Sequence, residues 1–375
     1  DHTATTPLAP EVFEAMKPYF TEKYGNASSI HSFGREARVA LDESRTTIAN
    51  AINASASEVF FVGSGTEANN FAVKGIAASK PDMQILYSAI EHPCVSRPAI
   101  AMQRTGYAAR EITVNHYGTV NIEQVKLALA QPTSLVSVML ANNETGVIQD
   151  IATIAEMARD AGAYMHTDAV QGLGKLPLSF TDLNVHAMTV SSHKIHGPQG
   201  AAALILDKRV DIQPLLHGGG QEKGLRSGTE NVAAIVGFGM ACELAIANLC
   251  NFASHTQTLR EQFEHGLKSL NATIFSKQVA RLPNTSFFAT EGIEGETLVM
   301  ALDRKGFAVA SGSACSSDST EPSHVLLAMG VAPDLARGAV RVSLCAHNTT
   351  QQVTDLLATL EHEISRLKQL TSIAA

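Results

Sequence analysis

The chain has no run of lysines and arginines, and its 375 residues carry a net charge of -8. Neutralising a phosphate backbone takes clustered cations, so nucleic acid is excluded as a principal partner. Its five cysteines (Cys94, Cys242, Cys250, Cys315 and Cys345) include no CxxC pair. Such a set suggests neither a disulfide framework nor a thiolate zinc site, so no metal is expected, and it fits a reducing, cytoplasmic setting. The longest apolar stretch, VAAIVGFGMACELAIANL from Val232, is interrupted by Glu243 and two glycines, which marks a buried helix and argues against a membrane partner. No secretory signal, internal repeat or low-complexity segment is visible. Neither GxxxxGK[ST] nor a GxGxxG after an early strand occurs, which excludes a nucleotide P-loop and a dinucleotide fingerprint.

What is present is ample core material, 45% apolar residues, enough for one large α/β domain and a smaller one. From Ser57 to Asp207, short apolar or β-branched runs alternate with helix-period segments, the pattern of parallel strands joined by crossover helices. EVFFVGSG, QILYSA, AREITV, SLVSVMLAN, AYMHTDAV, HAMTVSSHK and AALILD are the strand candidates. TEANNFAVKGIAAS, NIEQVKLALA and DIATIAEMARDAG carry apolar residues at three- and four-residue spacing, as helices on a sheet do. The expected fold is a large, doubly wound, mostly parallel seven-stranded sheet domain over residues 13–250. A smaller α+β domain is expected from residues 251–375 together with an N-terminal arm, residues 1–12. Ahead of the sheet, Ala37, Leu41, Ile48 and Ile52 share one helical stripe. Beyond it, helices are expected over Val232 to Leu249, Ser254 to Leu270 and Thr349 to Leu370, with strands at NTSFFA and GAVRVSL.

In open α/β sheets ligands sit beyond the carboxyl ends of the strands, so the polar residues there are the informative ones. After EVFFV come Gly63, Ser64, Gly65 and Thr66 opening a helix, a turn that either binds phosphate on free N–H groups or merely connects two elements. Glu91 and His92 follow QILYSAI; a lone histidine there is as readily a cap as a catalyst. Asn142, Asn143 and Glu144 follow SLVSVMLA, where turn chemistry is the plain explanation. Asp168 ends AYMHTD, with Gln171 three residues on, and a carboxylate in that place must be paired or hydrogen-bonded. Lys194 closes HAMTVSSHK between two histidines and before Gly197-Pro198; it either snorkels or is used chemically. Taken together these groups converge on one crevice, and one cofactor accounts for all of them. Pyridoxal 5'-phosphate needs a lysine amine, a carboxylate for its ring nitrogen and a phosphate cup.

At these residues the chain resembles the cysteine desulfurases of class V in the pyridoxal-phosphate fold-type I superfamily. The likeness runs from ATTPLAPEVFEAM through YGNASSIHSFGREAR, GSGTEANN, EHPCV, NNETGVIQDI, HTDAVQGLGK, SSHKIHGPQG, HGGGQEKGLRSGTEN and ASGSACSSDSTEPSHVLLAMG to GAVRVSL. The resemblance implies that Lys194 attaches the cofactor, His92 stacks on its ring and Asp168 meets its ring nitrogen. It implies that Asn143 and Gln171 bond the substrate carboxylate side and the ring hydroxyl. Gly65, Thr66, Ser191 and His193 would form the phosphate cup, and Thr229 would reach the phosphate of the other subunit of a homodimer. Asn26 and Arg341 would bind the substrate carboxylate, and Cys315, on a mobile loop of the first desulfurase group, would take sulfur from L-cysteine as a persulfide. Alanine is then the coproduct, and sulfur passes to an acceptor protein such as an iron-sulfur scaffold or sulfur carrier. A selenocysteine lyase or an aminotransferase of the same fold would use the same lysine, and a non-catalytic sulfur carrier would not need it. DHTATT, GSGTEANN and LCAHNTT depart in detail from commoner family versions. Cys345, just after Arg341, is the remaining cysteine expected near the pocket.

Overall fold

A computed structural model describes residues 1–312 and 321–374; Cys315 lies outside them. All seven strands expected in the first half form one sheet: β1 (Val59–Val62), β2 (Gln84–Ser88), β3 (Ala109–Ile112), β4 (Thr133–Ser137), β5 (Tyr164–Asp168), β6 (Ala187–Ser191) and β7 (Ala202–Leu206). Their order is β1-β7-β6-β5-β4-β2-β3. β2 to β6 run parallel, whereas β7 is antiparallel to both β6 and β1. Successive side chains point to opposite faces, and helices cover both, so the sheet is doubly wound. Val59 and Phe61 enter one apolar core with the helices Ser32–Ala51 and Val232–Ala247, while Phe60 and Val62 enter another beneath the helix Gly65–Ser79. Both faces being covered, β4, β6 and β7 are buried at every position.

The second sheet is antiparallel throughout, in the order β10-β11-β9-β8, from β8 (Thr273–Ile274), β9 (Thr285–Ala289), β10 (Ala310–Ser311) and β11 (Ala339–Ser343). The helices Leu249–Leu267, Gly295–Asp303 and Thr350–Ala374 pack a separate core against it. The expected helix from Ser254 starts earlier, at Leu249, directly after Asn248 closes the preceding helix, and the pair bends by 67°. Among the described residues no single helix is long and apolar enough to cross a membrane.

The first ten residues link the two sheets. Thr3 N–H donates to Ser343 Oγ of β11 at 3.0 Å, and Thr6 N–H donates to His193 O at 3.0 Å. This segment therefore runs across the mouth between the sheets, where the strand ends of the large sheet face β10 and β11.

Candidate active site

Ser191 ends β6, and the next three residues, Ser192–Lys194, form a 3₁₀ turn. Lys194 therefore does not end the strand, contrary to expectation; it stands one turn beyond it, half-buried. The chain then reverses through His196, which is left-handed at φ 64°, and Gly197. A Cβ on Gly197 would stand 2.0 Å from Ser192 Oγ, so the turn that presents the lysine requires glycine there. Lys194 Nζ donates to Thr3 O and Ala4 O, each at 2.7 Å.

Lys194 lines a cavity of about 460 Å³ between the two sheets. Gly65, Thr66, His92, Asn143, Asp168, Gln171, Ser191, His193 and Arg341 line it too. Each arrives by a different route. Ser64 caps the helix Gly65–Ser79 by accepting from Glu67 N–H, and the first-turn residues Gly65 and Thr66 border the cavity. His92 is itself the cap of the helix Pro93–Arg104, its Nδ1 accepting from Cys94 N–H at 3.2 Å. The cap and cofactor readings of this histidine are thus compatible. Asp168 is buried at the end of β5; Val170 N–H holds its Oδ1 at 3.0 Å, and Asn69 Nδ2 donates to Oδ2 at 2.7 Å. Arg341 lies in the middle of β11, donating from Nη1 to Asn143 O and from Nη2 to Asp1 Oδ1, both at 2.8 Å.

Burial shapes the protonation of this region. The His92 imidazole is held below its ordinary range by desolvation, against the pull of the Asp168 charge. His193 is lowered to about 4 by burial and by Lys194 and Lys175. Glu91, wholly buried behind the cavity, is pushed up to about 8 by desolvation, although Ser88 Oγ at 2.5 Å and Met139 N–H at 2.7 Å both donate to its Oε1. Glu144 is also raised by burial; Ser323 Oγ donates to it.

The residues present fit pyridoxal phosphate. A Cβ at Gly65 would stand 3.2 Å from Val170 Cγ2, so glycine keeps open the wall at the helix N-terminus where a phosphate meets free N–H groups and a favourable dipole. A cation-rich rim of Lys194 and Arg341 faces a carboxylate, Asp168, whose two oxygens are both fixed from behind.

Residues 1–356 match the Aminotransferase class-V family. The chain belongs to this family. It is 41% identical over 375 residues to "Cysteine desulfurase IscS" of Dictyoglomus turgidum, covering 99% of this chain and 95% of that one. A solved structure described as a NifS-like protein superposes with a TM-score of 0.92 at 37% identity, covering 97% and 98% of the two chains. Another, "SspA in complex with cysteine", superposes with a TM-score of 0.81 at 32% identity, covering 93% of this chain and 99% of that one. Class-V membership implies dependence on pyridoxal phosphate, in keeping with the cavity.

Two of the class-V site residues expected from the sequence do not reach the cavity within this chain. Asn26 and Thr229 are both exposed and away from it. Cys345 also misses it; it lines a second cavity, on the far side of residues 2–10, with His2, His196 and His347. Some residues not singled out from the sequence line the site or support it from behind. Asn69 and Cys94 line it, and Lys175, wholly buried, donates from Nζ to Gln171 Oε1 at 2.6 Å. That bond fixes the Gln171 amide with its Nε2 donating to Thr3 O at 3.2 Å, on the cavity side. Asn69 lies one helical turn after Gly65, a spacing that could have pointed to it; Lys175, in the apolar stretch GLGKLPL, offered no comparable signal.

Proposed function

We propose that this protein is a pyridoxal-phosphate-dependent cysteine desulfurase that converts L-cysteine to L-alanine and leaves the sulfur on Cys315 as a persulfide. The observation that carries the reading is the convergence of Lys194, Asp168, His92 and Arg341 on one cavity between two sheets. Its likeness at 41% identity to a protein named cysteine desulfurase supports the choice of substrate.

When bound, the cofactor supplies a carbon that joins an amine and a conjugated ring that takes up the electrons of a bond broken at Cα. Lys194 Nζ would be the amine that holds it and, when free, the base that takes the Cα proton. The Asp168 carboxylate would keep a proton on the ring nitrogen, His92 would cover the ring, and Gln171 would donate to its hydroxyl oxygen. Gly65, Thr66, Ser191 and His193 would hold the phosphate. Arg341 offers the planar two-point fork that an α-carboxylate needs, beside Asn143. Cys315 attacks the substrate sulfur as a thiolate; the carbon–sulfur bond breaks, sulfur stays on Cys315, and the carbon skeleton takes a proton and leaves as alanine.

The protein is further proposed to act as a cytoplasmic homodimer that hands sulfur to a protein acceptor for iron-sulfur cluster assembly or another thio-modification. Residues 13–250 would form the cofactor domain, and residues 1–12 with 251–375 the smaller one. In the dimer, Thr229 and Asn26 of one subunit would serve the site of the other. The exposed apolar side chains Phe20, Tyr24, Ile30 and Phe33 around Asn26 support an interface on that flank. The deciding experiment is alanine and persulfide formation from L-cysteine by the cofactor-loaded protein, alongside Lys194→Ala and Cys315→Ala. Wild-type turnover with loss in both variants is expected; a Cys315→Ala protein that still makes alanine at the wild-type rate overturns the cysteine assignment.

A further inference from the structure

Between the carboxylate and the imidazole of the cavity lies a chain of hydrogen bonds that the proposed reaction does not itself require. Asn69 is completely buried, and its Nδ2 lies 2.7 Å from Asp168 Oδ2 and 3.0 Å from Cys94 Sγ. The amide can sit only this way round, since its oxygen in the same place would face a carboxylate oxygen. Its two hydrogens are thus both assigned, one to the carboxylate and one to the sulfur. Cys94 Sγ in turn lies 2.9 Å from His92 Nδ1, the same nitrogen that accepts from Cys94 N–H at 3.2 Å. Burial and the Asp168 charge push the Cys94 thiol up, so it keeps its hydrogen and donates it.

We propose that Asn69 and Cys94 form a bridge from Asp168 to His92 that holds His92 as the neutral tautomer with its hydrogen on Nε2. Donors and acceptors match along the whole chain: Asp168 accepts from Asn69, Cys94 sulfur accepts from Asn69, and His92 Nδ1 accepts from the Cys94 thiol. A proton on Nδ1 would meet two donors from Cys94, its N–H and its S–H. The groups facing His92 divide in their effect: Asp168 on β5 favours the imidazolium, while Lys194 on the 3₁₀ turn, His324 on the helix His324–Ala328 and Arg97 on its own helix oppose it. The bridge adds to the second set. His92 then has one polar hydrogen for the cavity, on Nε2, and acts as a donor towards whatever occupies it, leaving the role of base to Lys194. Cys94 and Asn69 are positioning residues, acting through the imidazole and the carboxylate. The inference rests on the cofactor-site reading only for its use in the reaction.

The test is magic-angle-spinning NMR of the holoenzyme labelled with 15N-histidine, with His92 assigned by the signal lost in His92→Gln. Wild type at neutral pH is expected to show a bare Nδ1 and a protonated Nε2. Cys94→Ala removes one neutral hydrogen bond and is expected to raise the His92 titration midpoint by about 0.5–1 pH unit; Cys94→Ser, which keeps a donor, returns it towards wild type. In the Asn69→Ala/Cys94→Ala pair the two shifts are expected to be non-additive. A hydrogen on Nδ1 in the wild type, or identical titrations in wild type, Cys94→Ala and Cys94→Ser, overturns the proposal, and strictly additive shifts overturn the bridge as a unit. Alanine production by the wild type, measured on the same samples, tests the desulfurase reading separately: its absence would refute that reading while the His92 signals still report on the bridge.

Discussion

Replacing Glu91 by glutamine should stabilise the protein, and by an amount that grows with pH. Glu91 is wholly buried behind His92; its Oε1 accepts from Ser88 and Met139, and its Oε2 has no partner among the described residues. Desolvation, reinforced by the Asp168 charge, raises its pKa from 4.5 to about 8. Below pH 4.5 the group is protonated in both folded and unfolded chains and costs nothing. Between 4.5 and 8 the unfolded chain releases the proton while the native one holds it, so stability falls as pH rises and levels off above 8. At about 1.4 kcal/mol per pH unit the loss is about 1 kcal/mol at pH 5 and about 4 kcal/mol at pH 8. Glutamine is nearly isosteric, keeps an oxygen for Ser88 and Met139, and never ionises. A melting entropy of about 2.1 cal/mol/K per residue gives about 0.8 kcal/mol/K for a chain of this length, so the gain at pH 8 corresponds to about 5 °C in Tm. Thermal melts of Glu91→Gln and wild type should therefore diverge steadily from pH 5 to about 8. A Tm difference that stays constant over this range would refute the reasoning, because it would mean that Glu91 takes up no extra proton on folding.

Lys175 should show the opposite slope. Burial lowers its pKa from 10.5 to about 7, with Lys194 and Arg341 adding to the effect, so the unfolded chain binds the extra proton and wild-type stability rises with pH through that window. Lys175→Met should be the more stable protein at pH 7, with an advantage that shrinks towards pH 10 in the same melts. Arg45 forms a two-bond pair with the buried Glu222, at 2.8 and 2.7 Å, and Glu222 also accepts from Phe61 N–H. Arg45→Met leaves that carboxylate without its cation and should cost about 3–5 kcal/mol, read from the denaturation midpoint. Arg341→Gln removes a charged donor from the substrate carboxylate and should raise the KM for L-cysteine by about 10- to 150-fold, the equivalent of about 1.5–3 kcal/mol, in steady-state alanine assays.

Seven strands, their crossover helices and most of the cavity were legible in the chain because they depend on local pattern. Alternating apolar runs place strands, and polar residues at their ends face the crevice whatever the neighbouring strands are. Lys194, Asp168, His92 and Gly65 were all reached in this way, and the spacing of the motifs around them carried the family resemblance. What lies behind those residues was decided by tertiary structure. That β7 enters antiparallel between β1 and β6 is a matter of strand order, which a run of apolar residues does not encode. Lys194 sits off its strand because a 3₁₀ turn, admitted by Gly197, follows Ser191. The first ten residues reach Lys194 only because β11 and the turn after β6 come together. Cys345, adjacent in sequence to the arginine strand, falls on the wrong side of that segment, whereas Cys94 falls inside. Asn69 meets Asp168 across 99 residues, and Arg341 meets Asn143 across 198. Such pairs are set by how the sheets stack, and a hydrogen bond between distant residues leaves no periodic trace in the chain.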